Sequence, residues 1–450
     1  MSRQGHFLIV ITLSFLLFQC EKEDPIVNLN SPYFIVTDQA FFSYLLKVVD
    51  TDGDGKISYE EAEEVDILSP SDPNNQGAIE NLDGIDAFIN LSWLTCNGNR
   101  LTSLDLSSNH HLVILDCDNN DLTQLNLSNN PDLGYLNCNN NRLTNLDITN
   151  NVALVRLNCE YNQLSSLDIT NNVALIRLSC GYNQLTSINL SNNPDLSYLD
   201  CQRNPLENLD ISNNLKLSHL DCYYCKLASL EVSDHIFLTE LECSLNEITS
   251  LDITAAQYLN VLDCYENQLV SLDISQNKFL NKLECSQNDL ISLNVSNNIA
   301  LTELSCWGNE LTSLDISKNK ALNELNCGGN QLTNLDVSQN KALNKLDCLG
   351  NQLTNLDISN NVGLTWISCA HNQLTSLDIS KNPALMDLNC ERNPITSLDL
   401  SNNSLLLNIT LRDMTTLGQV CVWTLSFPPE GCNVDTTRSP NAYFTAECSQ

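Results

Sequence analysis

One stretch, Leu154-Val-Arg-Leu-Asn-Cys159-Glu-Tyr-Asn162-Gln-Leu-Ser-Ser-Leu-Asp-Ile-Thr-Asn-Asn172-Val-Ala174, decides the fold of this chain. Its halves of ten and eleven residues share the pattern Leu-x-x-Leu-x-(small apolar)-x-x-Asn. A cysteine equivalent to Cys159 returns every 21 residues, fifteen times from Cys96 to Cys390, and we call these the ladder cysteines. A fixed short period of this kind predicts a solenoid, in which each coil buries its apolar edge against its neighbours.

Each half of the unit predicts a short strand with one face inward, because apolar and polar residues alternate along it. A coil then makes two strand passes joined at two asparagine corners, and about fifteen coils form the rod. An asparagine at a buried corner can donate to, and accept from, the backbones of adjacent coils. The corners are interrupted at Cys225, His235 and Ala256, so coils seven and eight are the least regular part.

This pattern resembles the leucine-rich repeats, and among them the nested bacterial class called IRREKO, whose two halves echo each other. The resemblance covers about 70% of the chain. It implies a scaffold whose outward strand residues form a concave binding surface. The sequence contains no Gly-x-Ser-x-Gly, phosphate-loop or His-Glu-x-x-His motif, so we expect a protein that is not an enzyme and has no catalytic residues.

The beginning of the chain predicts export. Residues 1–19 contain an apolar run, Phe7 to Phe18, that is too short to span a membrane as a stable helix. The run ends at Cys20, and the acidic residues that follow resemble a Bacteroidetes-type surface lipoprotein signal with lipidation at Cys20. The resemblance implies a lipid anchor in the outer membrane, facing outward, with residues 20–36 as a tether. The alternative is an ordinary cleaved secretory signal.

The charge of the chain excludes some partners. Lys and Arg number 21 against 55 Asp and Glu, which gives a formal net charge of −34. Such a chain repels nucleic acid and anionic membranes, so we expect membrane contact only through the lipid anchor. An apolar content of 42% is ample for a core.

The stretch from Asp50 to Glu61 fits the EF-hand calcium loop, and no second loop follows it. The predicted calcium ligands are Asp50, Asp52, Asp54, the Lys56 carbonyl, Ser58 through a water, and both oxygens of Glu61. Helices over Phe41–Val49 and Glu60–Leu68 would flank the loop in a small α-helical module, residues 37–68. The alternative is an acidic turn that binds no metal.

The remaining boundaries follow from where the period begins and ends. We expect a linker and N-terminal cap over residues 69–90, the solenoid over 91–404, and a β-rich C-terminal cap over 405–450. The ladder cysteines are expected to be buried free thiols, because their Cβ vectors run parallel. Cys421, Cys432 and Cys448 allow three pairings, of which we expect a Cys421–Cys448 disulfide that joins two strand segments, Val420–Phe427 and Ala442–Glu447.

The outward positions of coils three to seven are rich in tyrosine and arginine, which are preferred types in protein interfaces. The predicted ligand-binding face consists of Tyr135, Arg156, Arg177, Tyr198 and His219, three residues before the ladder cysteines, and of Tyr161, Tyr182, Arg203, Tyr224 and the adjacent Tyr223. Alternatively, the tyrosines stack on each other and the arginines neutralise carboxylates. The predicted function is a monomeric, surface-exposed protein-binding adhesin; the alternatives are a glycan-binding accessory of nutrient capture and a structural envelope component.

Overall fold

The structure of the chain, a computed structural model, describes residues 31–71, 79–424 and 426–448. Short parallel strands pair in register along the rod, as Leu136 does with Leu157, and form one long sheet of 18 strands. They are Ile67–Leu68, Trp93–Thr95, Ile114–Asp116, Tyr135–Asn137, Arg156–Asn158, Arg177–Ser179, Tyr198–Asp200, His219–Asp221, Glu240–Glu242, Val261–Asp263, Lys282–Glu284, Glu303–Ser305, Glu324–Asn326, Lys345–Asp347, Trp366–Ser368, Asp387–Asn389, Asn408–Thr410 and Asn433–Asp435. The solenoid predicted from the 21-residue period is confirmed.

The second pass of each coil forms strands only at the two ends of the described rod. Ser103–Asp105 pairs with Gln124–Asn126 near the start, and Leu398–Asp399, Gln419–Cys421 and Tyr443–Thr445 pair near the end. In the regular coils the Leu143 amide donates to the side chain of Asn162, at 2.9 Å, and not to a neighbouring carbonyl.

The interior of the rod is a stack of leucines, isoleucines and cysteines. Leu154, Leu164 and Cys159 in one coil are fully buried. All ladder cysteines are buried free thiols. Burial raises the pKa of the Cys138 thiol to about 12, so this side chain stays protonated and serves as a small apolar residue.

A small helical module precedes the rod. Helix α1 is Gln39–Val48, capped by the Asp38 carboxylate, and helix α2 is Tyr59–Glu63; a 3-10 turn, Ile85–Ala87, follows. The predicted exit helix from Glu60 to Leu68 is wrong in its second half. Ile67–Leu68 instead pairs with the first strand of the rod, because this places Leu68 in the core and covers the open edge of the sheet.

The predicted tether partly belongs to this module. Tyr33 forms an antiparallel bridge with Ser58, and the Phe34 ring lies 5.8 Å from that of Phe88, edge to face. Residues from 31 onward are therefore packed, and any free tether ends before them. The predicted signal over residues 1–19 and the lipidation site Cys20 lie outside the described residues.

The predicted β-rich C-terminal cap over residues 405–450 continues the coil path. Asn408–Thr410 pairs with Asp387–Asn389 and then with Asn433–Asp435, so two further coils follow the regular repeats. Cys421 and Cys448 are joined by a disulfide with Cα atoms 5.9 Å apart, while Cys432 is free and half-buried. Across the described parts of the chain, no helix combines the length and apolar character needed to cross a membrane.

Candidate functional site

The corner asparagines hold each coil rigidly to the next. The Asn162 amide nitrogen donates to the carbonyls of Cys138, Cys159 and Glu160 at 3.0–3.1 Å, while its oxygen accepts from Leu143. These bonds join two coils at a site where turning backbone would otherwise leave buried polar groups unpaired. Side chains displayed beside this corner therefore stand on a fixed backbone.

The residue just before each of these corners has a left-handed backbone, and we call this set the corner column. Tyr161, Tyr182 and Arg203 have φ of 49°, 52° and 51°. Non-glycine residues adopt this conformation at a cost, and glycine takes the same place at Gly308 and Gly329. Since the conformation recurs along the rod, it belongs to the repeat, and it directs the side chains of the corner column outward.

A second set, which we call the sheet row, lies three residues before each ladder cysteine on the outward face of the long sheet. In spatial order it begins with Trp93, Ile114, Tyr135, Arg156, Arg177, Tyr198, His219 and Glu240. The Arg177 guanidinium lies 4.0 Å from the centroid of the Tyr198 ring, which stacks on His219 at 4.2 Å. His219 Nδ1 is 2.9 Å from a Glu240 carboxylate oxygen. The five predicted residues from Tyr135 to His219 thus form one continuous row.

The other five predicted residues form a separate cluster at the corner. Tyr161 and Tyr182 stack with ring centroids 4.0 Å apart. The Arg203 guanidinium lies 5.2, 5.0 and 5.5 Å from the ring centroids of Tyr182, Tyr223 and Tyr224, and donates to the Tyr223 hydroxyl at 3.1 Å. Four of the five, Tyr161, Tyr182, Arg203 and Tyr224, line an open groove of about 560 Å³ together with Asn140, Pro205 and Lys226.

These contacts bear on the alternative in which arginines neutralise carboxylates. The tyrosines do stack on one another, as that alternative expects. However, among the described residues Arg156, Arg177 and Arg203 form no ion pair, whereas Arg142, Arg392 and other cations do. Three arginines without a carboxylate partner are notable in a chain with more than twice as many acidic as basic residues.

Two acidic residues of the same coils have raised pKa values. Burial, followed by the charge and hydrogen bond of Asp200, raises the pKa of Glu160 to about 7. These two side chains reach each other across the coil that lies between them. Gly181 in that coil makes this possible because it has no Cβ, and a Cβ there would lie only 2.9 Å from the Asp200 carboxylate. Burial also raises the pKa of Asp221 to about 7. Glu160 therefore pairs with Asp200, and among the described residues the three arginines have no carboxylate partner.

Sequence reasoning missed the apolar beginning of the sheet row. Trp93, Ile114 and Tyr135 line a recess of about 440 Å³ together with Val113, Gly134, Val155 and Arg156. Trp93 and Val113 are 43% and 44% exposed. The sequence did contain this information, because the positions three residues before the ladder cysteines include Ile114 and Trp93 in the two coils before Tyr135.

Further along, the same row neutralises itself. Lys345 Nζ lies 2.7 Å from Glu324 and Lys282 Nζ lies 3.9 Å from Glu303. Exposed pairs of this kind contribute little to stability. This part of the row offers no uncompensated charge and provides matched controls for the arginines.

The structure brings three of the predicted calcium ligands together. Asp50, Asp52 and Asp54 each place a carboxylate oxygen within 4.8 Å of the others. Gly55 has φ of 80°, and its amide donates to Asp50 at 3.1 Å, so the sharp turn depends on glycine. Clustered carboxylate oxygens are the donors that Ca²⁺ prefers, and this part of the loop fits the ion.

The other predicted ligands make bonds within the module. The Glu61 carboxylate accepts from the Ser58 and Thr51 amides at 2.9 and 2.8 Å, and these bonds lower its pKa to about 2. Ser58 caps helix α2, and Lys56 Nζ lies 4.5 Å from the Tyr33 ring centroid. The Tyr33–Ser58 bridge gives this single loop a backbone partner within the module.

Solved structures share this fold. The functional domain of InlJ from Listeria monocytogenes, which includes a cysteine ladder, is 33% identical over 79% of this chain and 76% of that chain, with a TM-score of 0.68. The leucine-rich-repeat protein LIC12759 from Leptospira interrogans is 24% identical over 84% and 97%, with a TM-score of 0.63. The plant peptide hormone receptor RGFR1, in complex with RGF2, is 20% identical over 76% and 61%, with a TM-score of 0.65. The last two show the fold alone. No protein-family model and no curated protein matches the chain.

Proposed function

Because this chain belongs to the leucine-rich-repeat proteins, we propose that it is a non-enzymatic binding protein that holds a protein partner on the outward face of its long sheet. The observation that carries the proposal is the pair Arg156 and Arg177, which lie side by side on adjacent strands and have no carboxylate partner among the residues that the structure describes. Tyrosine and arginine dominate the energetics of protein interfaces, because they combine large contact area with directional donors.

The mechanism is preorganised display. Asparagine corners and in-register strands fix the sheet row before a partner arrives, so binding costs little ordering of this surface. The same fold carries a peptide hormone in RGFR1. The stacked corner tyrosines engage their ring faces with each other and with Arg203, which leaves less free face for a sugar ring than a glycan site would need.

Calcium belongs to this proposal as a stabiliser of the N-terminal module. Asp50, Asp52 and Asp54 would hold the ion, and Glu61 would join them by giving up its bonds to backbone amides. A bound cation neutralises the repulsion among three clustered carboxylates, and ligand binding to the folded state alone stabilises it. The module caps the first coil through Ile67–Leu68, so its order supports the start of the sheet row.

The proposed location is the outer surface of the cell, with a lipid anchor at Cys20. The support is the sequence around Cys20 and an acidic composition that suits an extracellular, calcium-containing medium. In this setting the rod would act as an adhesin, displayed from the membrane by its N-terminal end.

The test is capture of a partner by the purified chain without its predicted signal. We expect a protein from envelope or host-surface extracts to bind the chain, and to be lost when Arg156, Arg177 and Tyr198 are replaced together by alanine. A Lys282→Gln, Lys345→Gln variant changes the same row where cations are paired, and should bind normally. Equal capture by the triple variant would refute the assigned surface, and binding to a glycan array instead of a protein would favour the glycan alternative.

A further inference from the structure

We propose that the partner docks through an extended acidic segment: a large apolar side chain fills the recess at Trp93, Ile114 and Tyr135, and a carboxylate three to six residues away binds Arg156 and Arg177. This inference rests on the proposed function and names the chemistry of its ligand. It also fixes the position of the contact, at the beginning of the sheet row and not at the corner cluster.

Along the sheet row, apolar residues are followed directly by the two arginines. Strand pairing places Trp93, Ile114 and Tyr135 on consecutive strands, followed at once by Arg156 and Arg177. Neighbouring strands lie about 4.8 Å apart, so four spacings cover about 19 Å. An extended chain rises about 3.3 Å per residue, and about six residues span this distance. One short segment can therefore reach both the recess and the arginines.

The residues beside the arginines on the outward face of the sheet are uncharged. The residues two positions after Tyr135, Arg156 and Arg177 lie on the same outward face; they are Asn137, Asn158 and Ser179. The equivalent residues on either side of these three strands are Asp116 and Asp200. The three strands thus carry no carboxylate at this position, and the next carboxylate along the Arg156 coil, that of Glu160, is directed to Asp200 across Gly181. A partner's carboxylate fits beside the two arginines and is repelled by Asp116 and Asp200 at the borders of the three strands.

The recess has room for an additional side chain. Gly134 lies in its wall, and a Cβ there would meet only carbonyl oxygens at 3.8 and 3.9 Å. The equivalent positions of adjacent coils hold Val113 and Val155, so glycine at this place leaves a notch between two apolar walls. Apolar surface of this kind gains about 25 cal/mol per Å² when a side chain covers it.

The net charge of −34 does not prevent the contact. At physiological ionic strength, charges further away than about 8 Å are largely screened, so most of the carboxylates of the rod contribute little to the field at the two arginines. A carboxylate held by guanidinium groups forms charge-assisted hydrogen bonds, which are roughly twice as strong as neutral ones.

The experiment uses a phage library of random twelve-residue peptides, selected on the same purified chain. We expect enriched peptides to share a Phe, Trp, Leu or Ile and an Asp or Glu within about six residues. A synthetic peptide from the selection should bind, by fluorescence anisotropy, about tenfold more weakly after Arg156→Gln, Arg177→Gln or after its own acid is changed to the amide. Gly134→Ile should abolish binding by filling the recess, since Ile176 shows that isoleucine fits the equivalent position two coils on.

Two matched variants control for indirect effects. Lys282→Gln, Lys345→Gln removes two paired cations from the row, and Asn323→Ile places an isoleucine at the equivalent position of a distant coil; both should bind the peptide as the parent chain does. The inference is overturned if no peptide is enriched, if basic peptides are enriched, or if Gly134→Ile binds normally. Should extract capture depend on Arg156, Arg177 and Tyr198 while no acidic–apolar motif emerges, the proposed function stands and this inference fails.

Discussion

The two asparagine corners of a coil look alike in sequence but should differ in their contribution to stability. Asn351, at the first corner, accepts from the buried Leu332 amide at 3.0 Å and donates to the carbonyls of Cys327 and Cys348 at 3.0 and 3.1 Å. Asn340, at the second corner, donates to the carbonyls of Ile316 and Asn319, while its own oxygen is buried without a partner.

The magnitudes follow from which groups lose their last partner. In Asn351→Ala the carbonyls keep the amides of neighbouring asparagines, but the Leu332 amide has no other acceptor. Burying one unsatisfied amide costs about 1–3 kcal/mol, and the lost bonds add about 1 kcal/mol, for a total of about 2–4 kcal/mol. In Asn340→Ala both carbonyls keep backbone donors and the unpaired oxygen disappears, so we expect only about 0.5–1.5 kcal/mol.

The assay is urea unfolding of both variants with the slope of the transition fitted freely, combined with hydrogen exchange of the peptide that contains Leu332. Exchange is needed because stacked repeats can open locally, and a single unfolding free energy then describes them poorly. Alanine already stands at a second corner in the natural chain, at Ala256. An Asn340→Ala cost equal to or larger than that of Asn351→Ala would refute the assignment of roles.

Three further outcomes can be measured. Burial raises the folded-state pKa of Asp221 to about 7, against 3.8 for the free carboxyl, so the stability of the protein should fall as pH rises from about 4 to 7. In thermal melts, Asp221→Asn should flatten this pH dependence and should be more stable than the parent protein at pH 8. Calcium added to chelator-treated protein at about a hundred times its dissociation constant should stabilise the module by about 2.7 kcal/mol. Asp50→Ala should abolish this effect, whereas Glu63→Ala, on the exposed side of helix α2, should keep it. An unchanged melting curve for the parent protein would remove calcium from the proposal. In a chain that starts at Glu21 and so lacks Cys20, maleimide should label Cys432 in the native protein and the sixteen buried thiols only after unfolding, read by intact mass; native labelling of the ladder would mean that the coils open.

The repeated part of the fold was predictable because its cause is local and recurs. Leucine, cysteine and asparagine at fixed spacing specify strand, core and corner in every coil, and the bonds of Asn162 follow the predicted roles. The ends were not predictable in the same way. Ile67–Leu68 reads as the end of a helix until the open edge of the sheet is available to pair with it, which is a tertiary effect. The last coil, likewise, departs from the period, since Asn433 pairs with Asn408 after 25 residues, but it keeps the pairing.

The candidate site was predictable as residue types and not as contacts. The outward positions identify Arg156 and Arg177, but the absence of a carboxylate partner emerges only from the folded structure. The reason lies partly with Gly181, which lets Glu160 and Asp200 meet each other instead of an arginine. A column-by-column comparison of sequence cannot show this, because the two acids stand two coils apart and in different columns.

The irregular seventh coil shows how a break in the repeat reshapes the surface next to it. Cys225 replaces a corner asparagine and offers the Leu206 amide no side-chain acceptor, so that amide bonds to the Asn204 carbonyl at 2.9 Å. The rearranged turn contains Pro205, and its neighbour Lys226 adopts φ of 61°. Both residues line the corner groove beside the tyrosines. Restoring the corner with Cys225→Asn would return an acceptor to Leu206 and favour the regular turn. The break is therefore coupled to the shape of the groove.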